Sequence, residues 1–118
     1  MRLNHLHLHV ASVDRAADFY QRYFAFARHV THGEVQFLRD AAGMDLALAP
    51  GEPDAMPPWF HFGFRLDDAQ AVRTLHDRLA ADGVAIAEPF ERDEHSAAFR
   101  CRDPDGHLIE VYWETQPH

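Results

Sequence analysis

The sequence contains no lysine, and all 11 of its basic residues are arginine. A chain without lysine cannot use Schiff-base chemistry and cannot supply the lysine of a P-loop. The formal net charge is −8 at pH 7, and no basic stripe runs along the chain. An acidic domain of this kind is a poor candidate for binding nucleic acid or an anionic membrane. We therefore expect neither among its partners.

The sequence also has a single cysteine, Cys101, which cannot form an internal disulfide. This favours a reducing compartment, and we expect the cytoplasm. No apolar run reaches the roughly 20 residues that a membrane-spanning helix requires. A strand is predicted to begin within about three residues of the N-terminus, which leaves no room for a signal peptide. What remains is a globular domain of 118 residues, of which 47% are hydrophobic.

Histidine is unusually frequent, with ten in the chain, and three of them alternate with aliphatic residues in the stretch NHLHLHV at positions 4–10. Successive side chains of a strand point to opposite faces. His5, His7 and His9 are therefore predicted to share one face, with the aliphatic side chains on the other. A face that carries a row of imidazoles either contacts water or binds something that histidine can hold.

The order β-α-β-β-β is predicted twice. In the first copy a helix capped by Ser12 follows the opening strand, and strands follow at 27–31, 34–39 and 44–49. In the second copy a strand at 59–66 precedes a helix that starts at Asp67-Asp68 and stops at Gly83, with strands at 84–90, 97–102 and 107–113. Four prolines in positions 50–58 mark a linker. We predict an α+β fold in one domain, 1–118, with modules 1–49 and 59–118.

His5 and His61 stand near the start of the first predicted strand of each copy. The same alternation places Glu110 opposite Ile109 and Val111 on the last strand. If the helices cover the apolar faces, the remaining faces line one concave surface, which carries His5, His7, His9, His61, Arg65, Arg100, Glu110 and Tyr112. Two imidazoles and a carboxylate on one cavity are typical of Fe(II) sites and also suit Mn, Ni, Co or Zn.

The chain resembles the vicinal oxygen chelate superfamily, which includes glyoxalase I, fosfomycin and bleomycin resistance proteins, and extradiol ring-cleaving dioxygenases. The resemblance is carried by His5, by DFY at 18–20, by His61 and above all by DPDGHLIE at 103–110. It implies two βαβββ modules that form an open, barrel-like sheet around one divalent metal, held by His5, His61 and Glu110. It also implies a small substrate that chelates the metal through neighbouring oxygens, and a homodimer in which His5 comes from the other chain.

The chain departs from individual branches of this superfamily. Glyoxalase I has a fourth ligand, a glutamate, at the position of Ala47, and alanine cannot bind a metal. Fosfomycin enzymes and extradiol dioxygenases both have a tyrosine where Arg100 stands, and the loop at 91–95 is too acidic to favour a phosphonate. His95 matches a loop histidine of the dioxygenases, and DPDGHLIEVYW at 103–113 looks closest to that branch. Ring cleavage of a catechol-like substrate, with Fe(II) favoured, is therefore the specific expectation.

Further roles are expected for side chains around the metal. His95 is expected as an acid/base group and Tyr112 as a phenol of the catalytic site, while the predicted substrate contacts are His7, His9, Arg65 and Arg100. Arg100 could hold a substrate carboxylate, or could pair with an acidic neighbour such as Asp45. The histidines could instead form a solvated face. The alternative functions are a glyoxalase-like isomerase, a thiol transferase, or a non-catalytic protein that binds a small drug or metabolite.

Overall fold

The computed structural model describes residues 1–53 and 55–115. Position 54 of the predicted linker and positions 116–118 of the predicted second module lie outside the described residues. The chain divides into two compact units, the first covering residues 1–55 and the second starting at residue 56. The single domain and its module boundaries stay a prediction.

Each unit contains one helix and four strands in the order β-α-β-β-β, as predicted. The first unit consists of β1 (His5–Val10), α1 (Val13–Phe24), β2 (Ala27–His32), β3 (Val35–Arg39) and β4 (Asp45–Pro50). The second consists of β5 (Phe62–Arg65), α2 (Ala69–Ala81), β6 (Ile86–Arg92), β7 (Ser96–Arg102) and β8 (Leu108–Glu114). The α+β class and the repeated βαβββ order are therefore confirmed.

Both units have the same sheet topology. The strand order is β1-β4-β3-β2 in one sheet and β5-β8-β7-β6 in the other. The first and last strands of each unit pair in parallel, β1 with β4 and β5 with β8, and the remaining neighbours are antiparallel. Each unit thus forms its own four-stranded mixed sheet, and the last strand of each unit is central. Glu110 lies on such a central strand.

Helix α1 covers the apolar face of the first sheet. Its N-terminus is capped by Ser12, whose Oγ accepts a hydrogen bond from the amide of Arg15 at 3.2 Å. Ala25, with φ at 58°, ends the helix in the left-handed conformation. The buried side chains of the helix are Ala16, Ala17, Phe19, Tyr20 and Phe24. The sheet contributes Leu8, Val10, Leu38, Leu46 and Leu48.

Helix α2 covers the second sheet in the same way. Asp68 caps it, with Oδ1 accepting from the amide of Ala71 at 2.7 Å. Val72 and Leu79 are fully buried on its inner face, and the sheet contributes Phe99, Cys101, Ile109 and Val111. Within residues 1–53 and 55–115, neither helix is long and apolar enough to cross a membrane.

The predicted alternation holds along β1 and fails at the start of β5. His5, His7 and His9 are exposed, whereas Leu8 and Val10 are buried. The second unit was predicted to open with a strand from position 59, but β5 begins at Phe62. His61 therefore lies directly before the strand, because pairing with β8 starts only at Phe62 opposite Ile109.

Candidate metal centre

The second unit contains a cavity of about 490 Å³ that has both an imidazole and a carboxylate in its lining. His61 enters it from the segment before β5, and Glu110 enters it from the middle of β8. Gly63 lies opposite Glu110 in the parallel ladder. A Cβ at this glycine would lie 2.9 Å from the carbonyl oxygen of Glu110. The absence of a side chain therefore allows β5 to pass close beside the carboxylate-bearing residue.

A hydrogen bond fixes the tautomer of His61. Its Nδ1 lies 3.0 Å from the carbonyl oxygen of Trp59, and a carbonyl can only accept. Nδ1 must therefore carry the proton, so the neutral ring has its lone pair on Nε2. A second-sphere bond of this kind is usual for metal-binding histidines, since it orients the ring and raises its basicity. The arrangement of His61 thus fits a metal ligand.

Glu110 forms an ion pair with Arg100, which lies directly opposite on β7. The Nη2 and Nε atoms of Arg100 lie 3.1 Å and 3.3 Å from the same oxygen, Oε2. The Nε atom also lies 3.4 Å from a carboxylate oxygen of Glu88 on β6. The predicted alternative partner, Asp45, is instead bound by Arg39 at 2.6 Å. The role of Arg100 as a clamp for a substrate anion stays a prediction.

Tyr112 lines the same cavity two residues after Glu110. The guanidinium of Arg65 lies 5.9 Å from the centre of its ring. Arg65 also donates to the backbone carbonyl of Glu114, and its Nη1 lies 3.7 Å from the carboxylate of that residue. Arg65 thus contacts two residues of the cavity lining, Tyr112 and Glu114, but is not itself among the described residues that line the cavity.

His95 lies in the turn between β6 and β7. Its side chain is 72% exposed and its Nε2 lies 3.2 Å from a carboxylate oxygen of Glu94. The turn is held by Asp93, which accepts from the amides of His95 and Ser96 at 2.8 and 2.9 Å. These two hydrogen bonds lower the pKa of Asp93, and the bond from the amide of His95 has the larger effect. His95 lines a second cavity of about 430 Å³ that shares Ser96 and Glu114 with the first.

The histidine row lies on β1 in the first unit. The Nδ1 atom of His5 is 3.0 Å from Oδ1 of Asn4. His7 and His9 meet edge to face, with ring centres 5.2 Å apart. In the ladder His7 is opposite Ala47, the position that would carry a fourth ligand.

Beside His5 in the ladder lies Asp45. The hydrogen bond from Arg39 is the main reason why the pKa of Asp45 is lowered, and the charges of His29 and His5 act in the same direction. The His5 end of the strand is therefore flanked by an anionic side chain that is already paired.

The three predicted ligands are divided between the units, with His5 in the first and His61 and Glu110 in the second. Among residues 1–53 and 55–115, no three His, Cys, Asp or Glu side chains form a metal-binding group. His61 and Glu110 together supply a neutral nitrogen and an anionic oxygen, which is a donor pair that suits a divalent first-row metal. The donors present therefore fit such an ion, with a third ligand required.

Of the described residues that line the cavity, seven were not predicted as site residues, and the sequence could have marked three of them: Gly63, Ser96 and Glu114. A glycine inside an aromatic strand is a known sign of close backbone approach and could have marked Gly63. Ser96 and Glu114 follow from alternation, because they continue the faces of Arg100 and Glu110. They were missed because β7 and β8 each extend one residue beyond the predicted strand ends.

A family model described as the glyoxalase/bleomycin resistance protein/dioxygenase superfamily matches residues 2–111. The chain belongs to this superfamily. It is 30% identical to metallothiol transferase FosB of Shouchella clausii (strain KSM-K16), over 96% of this chain and 80% of that protein. It is 24% identical to a manganese-dependent 2,3-dihydroxybiphenyl 1,2-dioxygenase of Geobacillus genomosp. 3, over 98% of this chain and 37% of that protein.

Among solved structures, a possible glyoxalase from Bacillus cereus is similar, with a TM-score of 0.83 and 33% identity. The match covers 94% of this chain and 97% of that one. The sequence relatives of this chain thus include a metallothiol transferase and a manganese-dependent dioxygenase, two enzymes of different reaction types.

Proposed function

We propose that this protein is a metal-dependent enzyme whose substrate is a small molecule that binds the metal through two neighbouring oxygens. The observation that carries the proposal is the cavity shared by His61 and Glu110, in which the imidazole has its lone pair on Nε2. His5, on the corresponding first strand of the other unit, is the proposed third ligand. Fe(II) is the favoured metal, and Mn, Ni, Co or Zn suit the same donors.

A divalent metal, when bound, would act as a Lewis acid toward the substrate oxygens. Glu110 would contribute negative charge and His61 a neutral nitrogen. With His5 they would supply three protein ligands, which leaves open coordination positions for the substrate. Tyr112 lines the same cavity, and its phenol can donate a hydrogen bond to a substrate oxygen. His95, in the adjoining cavity, is the proposed acid/base group, while His7, His9 and Arg65 are proposed substrate contacts.

Ring cleavage of a catechol is the specific reaction that we propose. It is supported by the similarity to the manganese-dependent dioxygenase and by Ala47, which leaves three protein ligands rather than four. Transfer of a thiol is the second candidate, favoured by the 30% identity to the metallothiol transferase. Both reactions need a metal that holds the substrate, and they differ in the second reactant, dioxygen or a thiol.

Metal content tests the site. His61→Ala should abolish stoichiometric metal in protein purified without chelator, as measured by elemental analysis. Loss of a second-sphere contact alone would weaken binding only about 10- to 100-fold. His32→Ala is the matched control, because it removes an exposed imidazole from the edge strand β2. Full occupancy in the His61 variant would reject the ligand set.

Activity of the metal-loaded protein separates the candidate reactions. Dioxygen uptake and a coloured ring-cleavage product with catechols would support the first, and anaerobic loss of free thiol with an oxygen-chelating electrophile would support the second. A metal-loaded protein that binds catechols but performs neither reaction would favour the non-catalytic binding protein.

We also propose that the protein is a homodimer in which His5 of one chain completes the site of the other. Mixing His5→Ala and Glu110→Gln subunits tests this directly. In a two-fold dimer with shared sites, half of the randomly mixed dimers regain one intact site, so about a quarter of the metal sites should return. If all three ligands come from one chain, mixing restores none. A monomer by sedimentation at micromolar concentration would also reject the shared site.

A further inference from the structure

The ion pair between Arg100 and Glu110 has an unusual geometry for a guanidinium and a carboxylate. A fork-to-fork pair would use both oxygens of the carboxylate. Here both donors of Arg100 contact Oε2, at 3.1 Å and 3.3 Å. In the part of the chain that the structure describes, no hydrogen bond reaches Oε1 of Glu110. The carboxylate is thus held at one oxygen, while the residue itself lines the cavity.

We infer that Arg100 is a positioning residue, which holds Oε2 of Glu110 so that Oε1 is directed to a divalent metal. The inference rests on the proposed function, since it concerns the same site. A ligand that is oriented before the metal arrives loses less conformational freedom on binding, so the affinity is higher. Hydrogen-bonded outer-sphere partners of metal ligands typically change metal affinity by about 10- to 100-fold.

The charge of Arg100 does not argue against this role. A lone cation beside a ligand would repel a divalent metal, but Glu88 on the next strand lies 3.4 Å from the Nε atom of Arg100. Glu88, Arg100 and Glu110 thus form a row across β6, β7 and β8. The anion of Glu88 offsets part of the positive charge of Arg100, and the inference is that the orientation of Glu110 outweighs the repulsion that remains.

Glu110 is also confined from its other side. Gly63 on β5 approaches so closely that a Cβ at position 63 would lie 2.9 Å from the carbonyl oxygen of Glu110 and 3.4 Å from the Cβ of Glu110. The backbone of Glu110 therefore has little freedom, and the torsions of its side chain are what Arg100 restrains. The competing interpretation is a simple cross-strand ion pair, which would affect stability slightly and leave metal affinity unchanged.

Cobalt(II) titration of the full chain distinguishes these interpretations, because its visible absorption reports both affinity and ligand set. Arg100→Met should raise the dissociation constant roughly 10- to 100-fold and weaken the absorption band. Arg100→Lys should recover most of the affinity, since one ammonium can hold one oxygen. Arg102→Met is the matched control, because Arg102 lies on the same strand and donates to the carbonyl of Gly106 at 3.0 Å.

The outcomes separate the inference from the proposed function. Equal affinity and an unchanged spectrum in Arg100→Met would overturn the positioning role and leave the metal site standing. Tighter binding in that variant would overturn it too, because repulsion would then be the main effect of Arg100. If Arg100→Lys binds cobalt as weakly as Arg100→Met, the idea that Arg100 acts by holding a single oxygen of Glu110 is contradicted. Failure of the unmodified protein to bind cobalt would overturn both.

Discussion

The turn between β7 and β8 is held by the buried carboxylate of Asp103, and removing this side chain should strongly lower the free energy of unfolding. The side chain of Asp103 has no exposed surface. Its Oδ1 accepts from the amides of Asp105 and His107, both at 2.9 Å, and its Oδ2 accepts from Nδ1 of His107 at 2.7 Å. Asp103→Ala deprives three donors of their acceptor. Each buried donor left without its acceptor lowers the free energy of unfolding by about 1–3 kcal/mol. For the whole substitution we expect a loss of about 3–5 kcal/mol, which is typical when one partner of a buried ion pair is removed.

Asp103→Asn isolates the contribution of the charge. The amide oxygen can still accept from both backbone amides, so only the ionic bond to His107 is lost. That bond is the main reason why the pKa of His107 is raised above its usual value near 6.5, with burial acting in the opposite direction. Since the folded pKa is the higher one, the stabilisation is fully present below pH 6.5. It is lost as the pH rises through the folded pKa, by at most about 1.4 kcal/mol per pH unit.

Urea unfolding followed by tryptophan fluorescence, at several pH values between 6 and 9, measures both effects. Asp103→Ala should lower the free energy of unfolding by roughly 3–5 kcal/mol at pH 6. The gap between the unmodified protein and Asp103→Asn should be widest at pH 6 and should narrow toward pH 9. Contributions from groups other than position 103 and His107 are common to both proteins and cancel in this difference. A gap that stays constant with pH, or an alanine variant within about 1 kcal/mol of the unmodified protein, would refute the reasoning.

Two further predictions concern the second sheet. Gly63→Ala should lower the free energy of unfolding by about 1–3 kcal/mol and weaken metal binding, because the new Cβ meets the backbone of Glu110. Gly51→Ala is the control, since its Cβ would lie 3.7 Å from the nearest neighbouring atom. It should leave both the stability and the metal binding unchanged. Burial raises the pKa of the Cys101 thiol to about 12, so roughly one thiol in 10,000 is ionised at pH 8. A thiol-specific reagent should therefore label Cys101 only in urea, and prompt stoichiometric labelling of the folded protein would contradict its burial.

The fold was largely predictable because burial on one face imposes a period that can be recognised locally. The alternation in β1 identified its exposed histidines and its buried Leu8 and Val10. The capping side chains Ser12 and Asp68 marked both helix starts to within a residue or two. The repeat of β-α-β-β-β then indicated two units with the same order of elements, although not the pairing of their strands.

Local patterns were misleading where strand pairing decides the outcome. The aromatic alternation from Trp59 to Phe64 indicated a longer strand, but the amide of Phe60 bonds back to the carbonyl of Pro57 in a turn. The ladder with β8 starts only at Phe62. That irregular start is also what brings the carbonyl of Trp59 to His61. A pattern of side chains carries no information on such a backbone contact, so this support of the candidate ligand could not be predicted.

The partner of Arg100 was missed for a different reason, since it depends on the register between β7 and β8. Arg102 on β7 pairs with Leu108 on β8 at the turn. Arg100 and Glu110 each lie two residues further from the turn along their strands, so they pair as well. The contact therefore follows from a connection of five residues, which the bonds to Asp103 hold in place. A one-residue slip would move the neighbouring side chain to the other face and separate the pair. The motif at 103–107 thus determines which side chain lies against the candidate ligand, although none of its own residues lines the cavity.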